Sequence, residues 1–266
     1  MGISLTTVFA LIGSIVLFLG SIVIATNHYI IFVDIASLVM VLGGVLAQTF
    51  ISYEPRYVMI ALKLIWRMMF ASTVGRNVLK AEVGRIIRWA YTVQKSGIPA
   101  LETEAQRATR GDKFMKFGVE MVISGYTGDE VREILTTTIE TTFGRNTVPV
   151  NILKSMASSA PAFGMIGTLV GLVIMLDGMG ADPSQLGAGL AVALLTTLYG
   201  VLVARLFFMP AAAKIMQREQ ILRFRNFLVA EGLALLADRK SPRFIQDKMN
   251  SYLDPAIHFN IDKMKE

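Results

Sequence analysis

Four long runs of apolar residues stand out along the chain, at about residues 4–25, 31–51, 158–176 and 187–209. Each run has the roughly 20 residues that an α-helix needs to cross about 30 Å of hydrocarbon. Few charged residues interrupt these runs. The pattern therefore predicts four transmembrane helices, arranged as two hairpins that lie far apart in the sequence.

The polar segment between the hairpins has apolar positions at helical spacing and no convincing period-two alternation. Its first predicted helix has a stripe of apolar residues on one side and Arg85, Arg88 and Lys95 on the opposite side. The predicted helices cover about residues 76–95, 99–109, 113–124 and 129–143. The sequence thus indicates an all-α protein in which a large helical domain separates the two hairpins.

The helical pattern continues beyond the fourth apolar run, over residues 211–237, and a last amphipathic helix begins at Ser241 and Pro242. We therefore expect the fourth span to leave the membrane as one long helix. The expected organisation is a transmembrane hairpin at 1–51, a cytoplasmic helical domain at 52–157, a second transmembrane hairpin at 158–209 and a cytoplasmic helical extension at 210–266.

The basic residues fix the expected orientation. All 26 Lys and Arg residues fall between Arg56 and Lys154 or from Arg205 onward. Because basic residues collect on the cytoplasmic side, this distribution predicts cytoplasmic N- and C-termini and short outer turns in a multi-pass membrane protein. The composition agrees, with 53% hydrophobic and 17% charged residues and a mean hydropathy of +0.54. Membrane lipids suffice as partners for the net charge of +6, and no nucleic-acid partner is expected.

Several classes of chemistry have no support in the sequence. The chain has no cysteine, and its two histidines, His28 and His258, lie at opposite ends. We find no phosphate-binding GxxxxGK loop, no HExxH motif and no plausible Ser–His pair. The sequence therefore predicts no metal site, no cofactor and no catalytic residue, and the protein is not expected to be an enzyme.

Small and hydroxyl-bearing residues share one face of each central span. Positions three and four apart on a helix lie on the same face. Such faces let membrane helices approach closely, and a threonine in a span often hydrogen-bonds to the backbone of its own helix. Alternatively, two such faces can line a narrow polar path for an ion. The residues on these faces are Ala160, Gly164, Gly167, Thr168 and Gly171 in the third span and Gly189, Ala193, Thr196, Thr197, Gly200 and Ala204 in the fourth.

An ion path through hydrocarbon normally needs an ionisable group that binds and releases the ion. Apart from Arg205 at the end of the fourth, neither central span contains Asp, Glu, His, Lys or Arg, and the only acid in a span, Asp34, lies near the outer mouth of the second. Pro161 and Pro210 lie near the cytoplasmic ends of the third and fourth spans, where proline favours a bend or simply marks the end of the span. If ions pass here, the binding carboxylate must come from another chain.

These motifs resemble those of a known family. APAFGMIGTLVGLVIML (160–176) followed by LAVALLTTLYG (190–200) is similar to the ion-channel signature of the flagellar stator A subunits, the MotA and PomA family within the MotA/TolQ/ExbB group. FVDIASLVMVLGG, KSGIPALE and FFMPAAAKI extend the resemblance over nearly the whole chain. The resemblance implies an ion-conducting stator subunit that converts ion flow across the bacterial inner membrane into torque.

The resemblance also implies roles and partners. Five A subunits would surround two B subunits of the MotB/PomB type, each supplying one ion-binding aspartate. The transported ion would be H⁺, which we favour slightly, or Na⁺, and the cytoplasmic charges would push against the rotor protein FliG. The implied residues are Thr168, Thr196, Thr197 and Asp34 along the ion path, Pro161 and Pro210 in coupling, and Lys95, Glu102 and Arg88 at the rotor interface.

One position departs from the family pattern: Gln94 stands where an arginine is often found just before the lysine. The interface charge is then partly redistributed, with Arg88 or Glu104 as candidates, and an ordinary solvated helix face is an equal interpretation of these charges. Two other functions stay open. One is an ExbB- or TolQ-like energiser of outer-membrane transport or envelope processes, although those relatives typically have three spans. The other is a small transporter or a membrane scaffold.

Overall fold

The computed structural model describes residues 4–70, 76–109, 111–178 and 183–264. Within these ranges the long elements are all helices, which confirms the all-α prediction. The α-helices are α1 Leu5–Ala25, α2 Ile35–Ser52, α3 Pro55–Arg67, α4 Arg76–Ser96, α5 Ile98–Ala108, α6 Lys113–Ile123, α7 Gly128–Asp177, α8 Pro183–Val203, α9 Met209–Ala237 and α10 Pro242–Asn250.

Two compact units make up the chain. The first, which we call the membrane unit, comprises residues 1–72 and 146–217. The second, which we call the charged unit, comprises residues 73–145 and 218–266. The long helices α7 and α9 each contribute residues to both units.

Among the residues that the structure describes, four helical segments are long and apolar enough to cross a membrane, as the sequence predicts. They are α1, the segment Tyr29–Ser52 that includes α2, and parts of the long helices Gly128–Asp177 and Leu186–Ala237. A short 3₁₀ turn, Tyr29–Phe32, precedes α2.

The helix α7 is longer than the sequence analysis predicts. Separate helices were expected at about 129–143 and 158–176, yet one helix of 50 residues runs from Gly128 to Asp177. Pro149 and Pro161 lie inside it. A proline removes only one backbone hydrogen bond from a helix, so intact turns on both sides can carry the helix past it.

A π-helical segment, Ala204–Phe208, joins α8 to α9. Pro210, two residues after this segment, has no N–H to donate to the carbonyl of Leu206, four residues earlier. The N–H of Met209, the residue before the proline, donates to the carbonyl of Ala204, five residues earlier, which is the spacing of a π-helix. The fourth span therefore does continue into one long helix, as the sequence predicts, but through a locally widened turn.

The charged unit has its own apolar core, formed by α4, α5, α6, α10 and the unit's parts of α7 and α9, with Ile86, Met115, Leu135 and Leu228 fully buried. Two of its helices, α6 and α10, begin with a side-chain cap. The Asp112 side chain accepts from the N–H of Met115, and Ser241 accepts from Phe244, which confirms the predicted start of the last helix.

Candidate ion path in the membrane unit

The two central helices, α7 and α8, approach each other so closely that only small residues fit. A Cβ added at Gly171 would lie 2.6 Å from the backbone nitrogen of Ala193 and 2.6 Å from the carbonyl oxygen of Gly189. A Cβ at Gly200 would lie 2.6 Å from the carbonyl oxygen of Ala160. The predicted small faces therefore meet each other directly.

Thr196 lies inside this helix contact. Its side chain is fully buried and occupies the space against Gly167, where an added Cβ would be 2.4 Å from the Thr196 Cβ. Its hydroxyl donates to the carbonyls of Val192 at 2.9 Å and Ala193 at 3.0 Å, within its own helix. In the single chain, the position of Thr196 thus suits packing better than contact with an ion.

Thr197 and Thr168 are more accessible than Thr196. The Thr197 hydroxyl lies 3.4 Å from the carbonyl oxygen of Gly164 on the facing helix, a long hydrogen bond that leaves its lone pairs available. Thr168 is only partly buried and donates to the carbonyl of Met165 at 2.6 Å. Both oxygens can therefore still accept a hydrogen bond or coordinate a cation.

Asp34 is the N-cap residue of α2. Its carboxylate accepts hydrogen bonds from the backbone N–H of Ser37 at 2.8 Å and from the Ser37 hydroxyl. Ser37 is fully buried, while Asp34 itself remains partly exposed. The carboxylate is held by local hydrogen bonds and has further lone pairs to offer a passing cation.

Tyr199 connects Asp34 to the central hairpin. Its hydroxyl donates to the carbonyl of Phe32 at 2.6 Å and accepts from the backbone N–H of Asp34 at 2.9 Å. These two bonds hold the start of α2 against α8, the helix that also carries Thr196 and Thr197. The sequence analysis did not single out Tyr199, whose only signal was a hydroxyl close to Thr196 and Thr197 in the same span.

The two prolines predicted to couple ion passage to movement occupy different settings. Pro161 lies inside α7, one residue after Ala160, which packs against Gly200. Pro210 is exposed and stands second in α9, directly after the π-helical segment. Each removes a backbone hydrogen bond close to the helix pair that carries the threonines.

The charges predicted at the rotor interface all lie in the charged unit. Arg88 and Lys95 are exposed on α4, and Glu102 is exposed on α5, across a turn in which Gly97 has a φ of 77°. Glu102 also lines a cleft of about 610 Å³ together with Lys116 and Glu120. The alternative candidate, Glu104, accepts a hydrogen bond from the Thr92 hydroxyl at 2.8 Å and so ties α5 to α4.

No group of His, Cys, Asp or Glu residues that could hold a metal ion occurs within the part of the chain that the structure describes. The candidate site consists of the Thr168 and Thr197 hydroxyls on a tightly packed helix pair and the Asp34 carboxylate at the start of α2, with no Asp or Glu in residues 158–176 or 187–209. These features define a multi-pass helical membrane protein with hydroxyl groups along its central helix pair.

Comparison with known proteins agrees. Residues 106–226 match the MotA/TolQ/ExbB proton channel family. The chain is 32% identical over 251 residues to the chemotaxis protein PomA of Vibrio alginolyticus, covering 94% of this chain and 95% of PomA. It is 34% identical over 244 residues to motility protein A of Cereibacter sphaeroides, covering 92% of this chain and 93% of that protein.

The fold is also that of a solved structure, C. jejuni MotAB, with a TM-score of 0.84 at 19% identity, covering 95% of this chain and 96% of the matched chain. The protein described here belongs to the MotA/TolQ/ExbB proton channel family, among its PomA and motility protein A members. The family resemblance seen in the sequence is thereby confirmed.

Proposed function

We propose that this protein is the A-type stator subunit of a bacterial flagellar motor, which works with a B subunit to convert ion flow into torque. The observation that carries this proposal is the 32% sequence identity with PomA, in an alignment that covers 94% of this chain and so includes both hairpins and the charged unit. No covalent chemistry is required, since one elementary charge falling through 100 mV releases about 2.3 kcal/mol.

The ion path would be completed by the B subunit. The apolar runs 158–176 and 187–209 offer the hydroxyls of Thr168 and Thr197 but contain no Asp or Glu, so the ion-binding aspartate would come from the single span of a MotB- or PomB-like partner. Asp34 and Tyr199 would lie beside the path, and Thr196 would hold the two helices together.

The complex would contain five copies of this chain around two B subunits. Ion passage would turn the ring, with Pro161 and Pro210 as the points at which the helices yield. Arg88, Lys95 and Glu102 would engage the rotor protein FliG, because they are exposed on one helix–turn–helix segment of the charged unit. The protein would lie in the inner membrane with both termini in the cytoplasm.

Deletion in a swimming host tests the function. Cells that assemble filaments yet do not swim, and that swim again when the gene is restored, would support the proposal. Normal swimming of the deletion strain, in a host shown to carry no second stator set, would contradict it. A tag at the N-terminus that could be labelled only from outside would overturn the orientation.

The coupling ion can be identified in the same cells. We favour protons, and we expect swimming that is independent of external sodium at constant pH and is abolished by a protonophore. Swimming speed that follows the sodium concentration and survives the protonophore would assign sodium instead.

An ExbB- or TolQ-like role has less support. Those proteins typically have three spans, whereas four helical segments here are long enough to cross a membrane. The matches to PomA and motility protein A extend over both hairpins.

A further inference from the structure

The membrane unit contains a cavity that the ion path does not use. It has a volume of about 180 Å³ and lies between α1 and the junction of α8 with α9. One face of α1 lines it, with Thr7, Ala10, Leu11 and Ser14 at helical spacing. Its wall is mostly apolar, so it has room for several methylene groups of a hydrocarbon chain rather than for an ion.

Two basic residues lie at this cavity, Arg205 and Lys214. Arg205 belongs to the π-helical segment and is exposed, and Lys214 lies on the next turns of the same long helix, beyond Pro210. None of the described residues that line the cavity is acidic. An apolar cavity with two cations has the chemistry of a phospholipid site, in which the chain enters the cavity and the phosphate meets the cations.

The position of Lys214 is fixed by the start of α1. Its ammonium hydrogen-bonds the hydroxyl of Thr7 and lies 3.3 Å from the hydroxyl of Ser4. The N–H of Ser4 in turn donates to the carbonyl of Met69 at 2.8 Å, just after α3. The start of α1, the residues just after α3 and Lys214 of α9 are thus linked by hydrogen bonds. Lys214 is therefore a preorganised charge at the end of a transmembrane helix rather than a flexible surface lysine.

The position of the cavity along the transmembrane helices indicates which class of lipid it binds. The segment from residue 155 to residue 204 has no basic residue, and Arg205 is the first after it, so the cavity lies where the helices meet the cytoplasmic leaflet. Anionic headgroups are concentrated in that leaflet, and basic pockets between transmembrane helices on this side bind them. We propose that this cavity binds one anionic phospholipid, with its phosphate on Arg205 and Lys214 and part of one acyl chain beside Ala10 and Leu11.

The test is lipid retention by the intact protein, purified in a mild detergent and measured by native mass spectrometry. The probes are phosphatidylglycerol and phosphatidylcholine with identical acyl chains. The wild type should retain phosphatidylglycerol preferentially. Arg205→Gln and Lys214→Gln should each weaken its retention by about fivefold, since one basic residue near an anionic surface contributes about 1 kcal/mol.

Lys154→Gln is the matched control, because Lys154 is an exposed lysine of the same unit that does not line the cavity. Ala10→Phe provides a second route, since it fills the cavity and keeps both cations; it should also reduce retention. Arg205→Lys should preserve retention and exclude misfolding as the cause.

Three outcomes would overturn the proposal. They are equal retention of the two lipids by the wild type, losses in Arg205→Gln and Lys214→Gln no greater than in Lys154→Gln, and complete displacement of the lipid by millimolar inorganic phosphate. The last result would assign the cations to a free anion. Because these readouts involve neither motility nor ion flux, the proposal can fail while the stator function stands, and the reverse also holds.

Discussion

At the scale of single residues, the three threonines of the central hairpin separate into two kinds. Thr196 is buried and satisfied within its own helix, whereas Thr197 reaches across to the carbonyl of Gly164 at 3.4 Å and Thr168 is partly exposed. The sequence pattern could place all three near one face. It could not separate them, because burial depends on the facing helix.

Removing the Thr197 hydroxyl should therefore affect ion passage more than stability. We expect Thr197→Val, which keeps the side-chain shape, to reduce ion flux through the assembled complex by about fivefold, the equivalent of one hydrogen bond of about 1 kcal/mol. Flux is measured in proteoliposomes that contain this chain and its B subunit. Thr137→Val, which removes a hydroxyl bonded to its own helix in the charged unit, is the control. Unchanged flux in Thr197→Val would assign Thr197 to packing.

Gly171 offers a test of the close helix contact. An added Cβ would lie 2.6 Å from backbone atoms of α8, which cannot rotate away as a side chain can. We expect Gly171→Ala to destabilise the protein by about 1–3 kcal/mol, the usual cost of overpacking. Gly13→Ala has nothing within 4 Å of the new methyl group and should be neutral or slightly stabilising. Thermal unfolding in detergent compares the two, and equal midpoints would mean that the helices separate easily.

At the scale of elements, a buried ion cluster joins three helices of the charged unit. Arg225 of α9 pairs with Glu82 of α4 and with Asp112 at the start of α6. The side chains of Arg225 and Glu82 are only 7% and 4% exposed. Arg85 adds a contact to Glu82 at 3.1 Å. The cluster fixes how α4, α6 and α9 pack, because each charge needs its partner once water is excluded.

Breaking this cluster from one side should be costly. We expect Arg225→Met to destabilise the charged unit by about 3 kcal/mol, since Asp112 loses its cation and the buried Glu82 keeps only its contact with Arg85. Arg243→Met removes an equally charged but exposed side chain, paired with Asp262 at 3.3 Å, and should cost less than about 1 kcal/mol. Amide hydrogen exchange of α4, measured in the full protein, compares the destabilisation in the two variants. Similar protection in the two variants would show that the apolar core alone sets the packing.

At the scale of the whole molecule, the sequence predicts the four spans and the all-α fold because run length and periodicity are local properties. It misses the continuity of α7, since a proline-containing segment between two predicted helices gives no local sign of which turns persist. It also misses the link from Tyr199 to Asp34, whose hydrogen bond joins residues 165 apart in the chain. Long-range pairing of this kind depends on how the two hairpins pack.

The coupling of ion flow to movement is the property that belongs to the whole molecule, and α7 is where it can be tested. Pro149 and Pro161 both lie inside this continuous helix, so neither proline by itself ends it. Only Pro161 lies beside the contact with α8, next to Ala160 and one turn before Gly164. If the helix yields at Pro161 during ion passage, restoring an N–H there should stiffen the coupling point without disturbing the ion path.

We therefore expect Pro161→Ala to assemble and to conduct ions at close to the wild-type rate while swimming speed falls. Pro149→Ala makes the same chemical change in the same helix and should leave swimming intact. Both variants should fold, because removing a proline from a helix interior relieves a cost of up to about 3 kcal/mol. Flux in proteoliposomes and swimming speed in cells separate the two steps. A parallel loss of flux and speed in Pro161→Ala would place this proline in the ion path, and equal effects of the two variants would make general helix stiffness the cause.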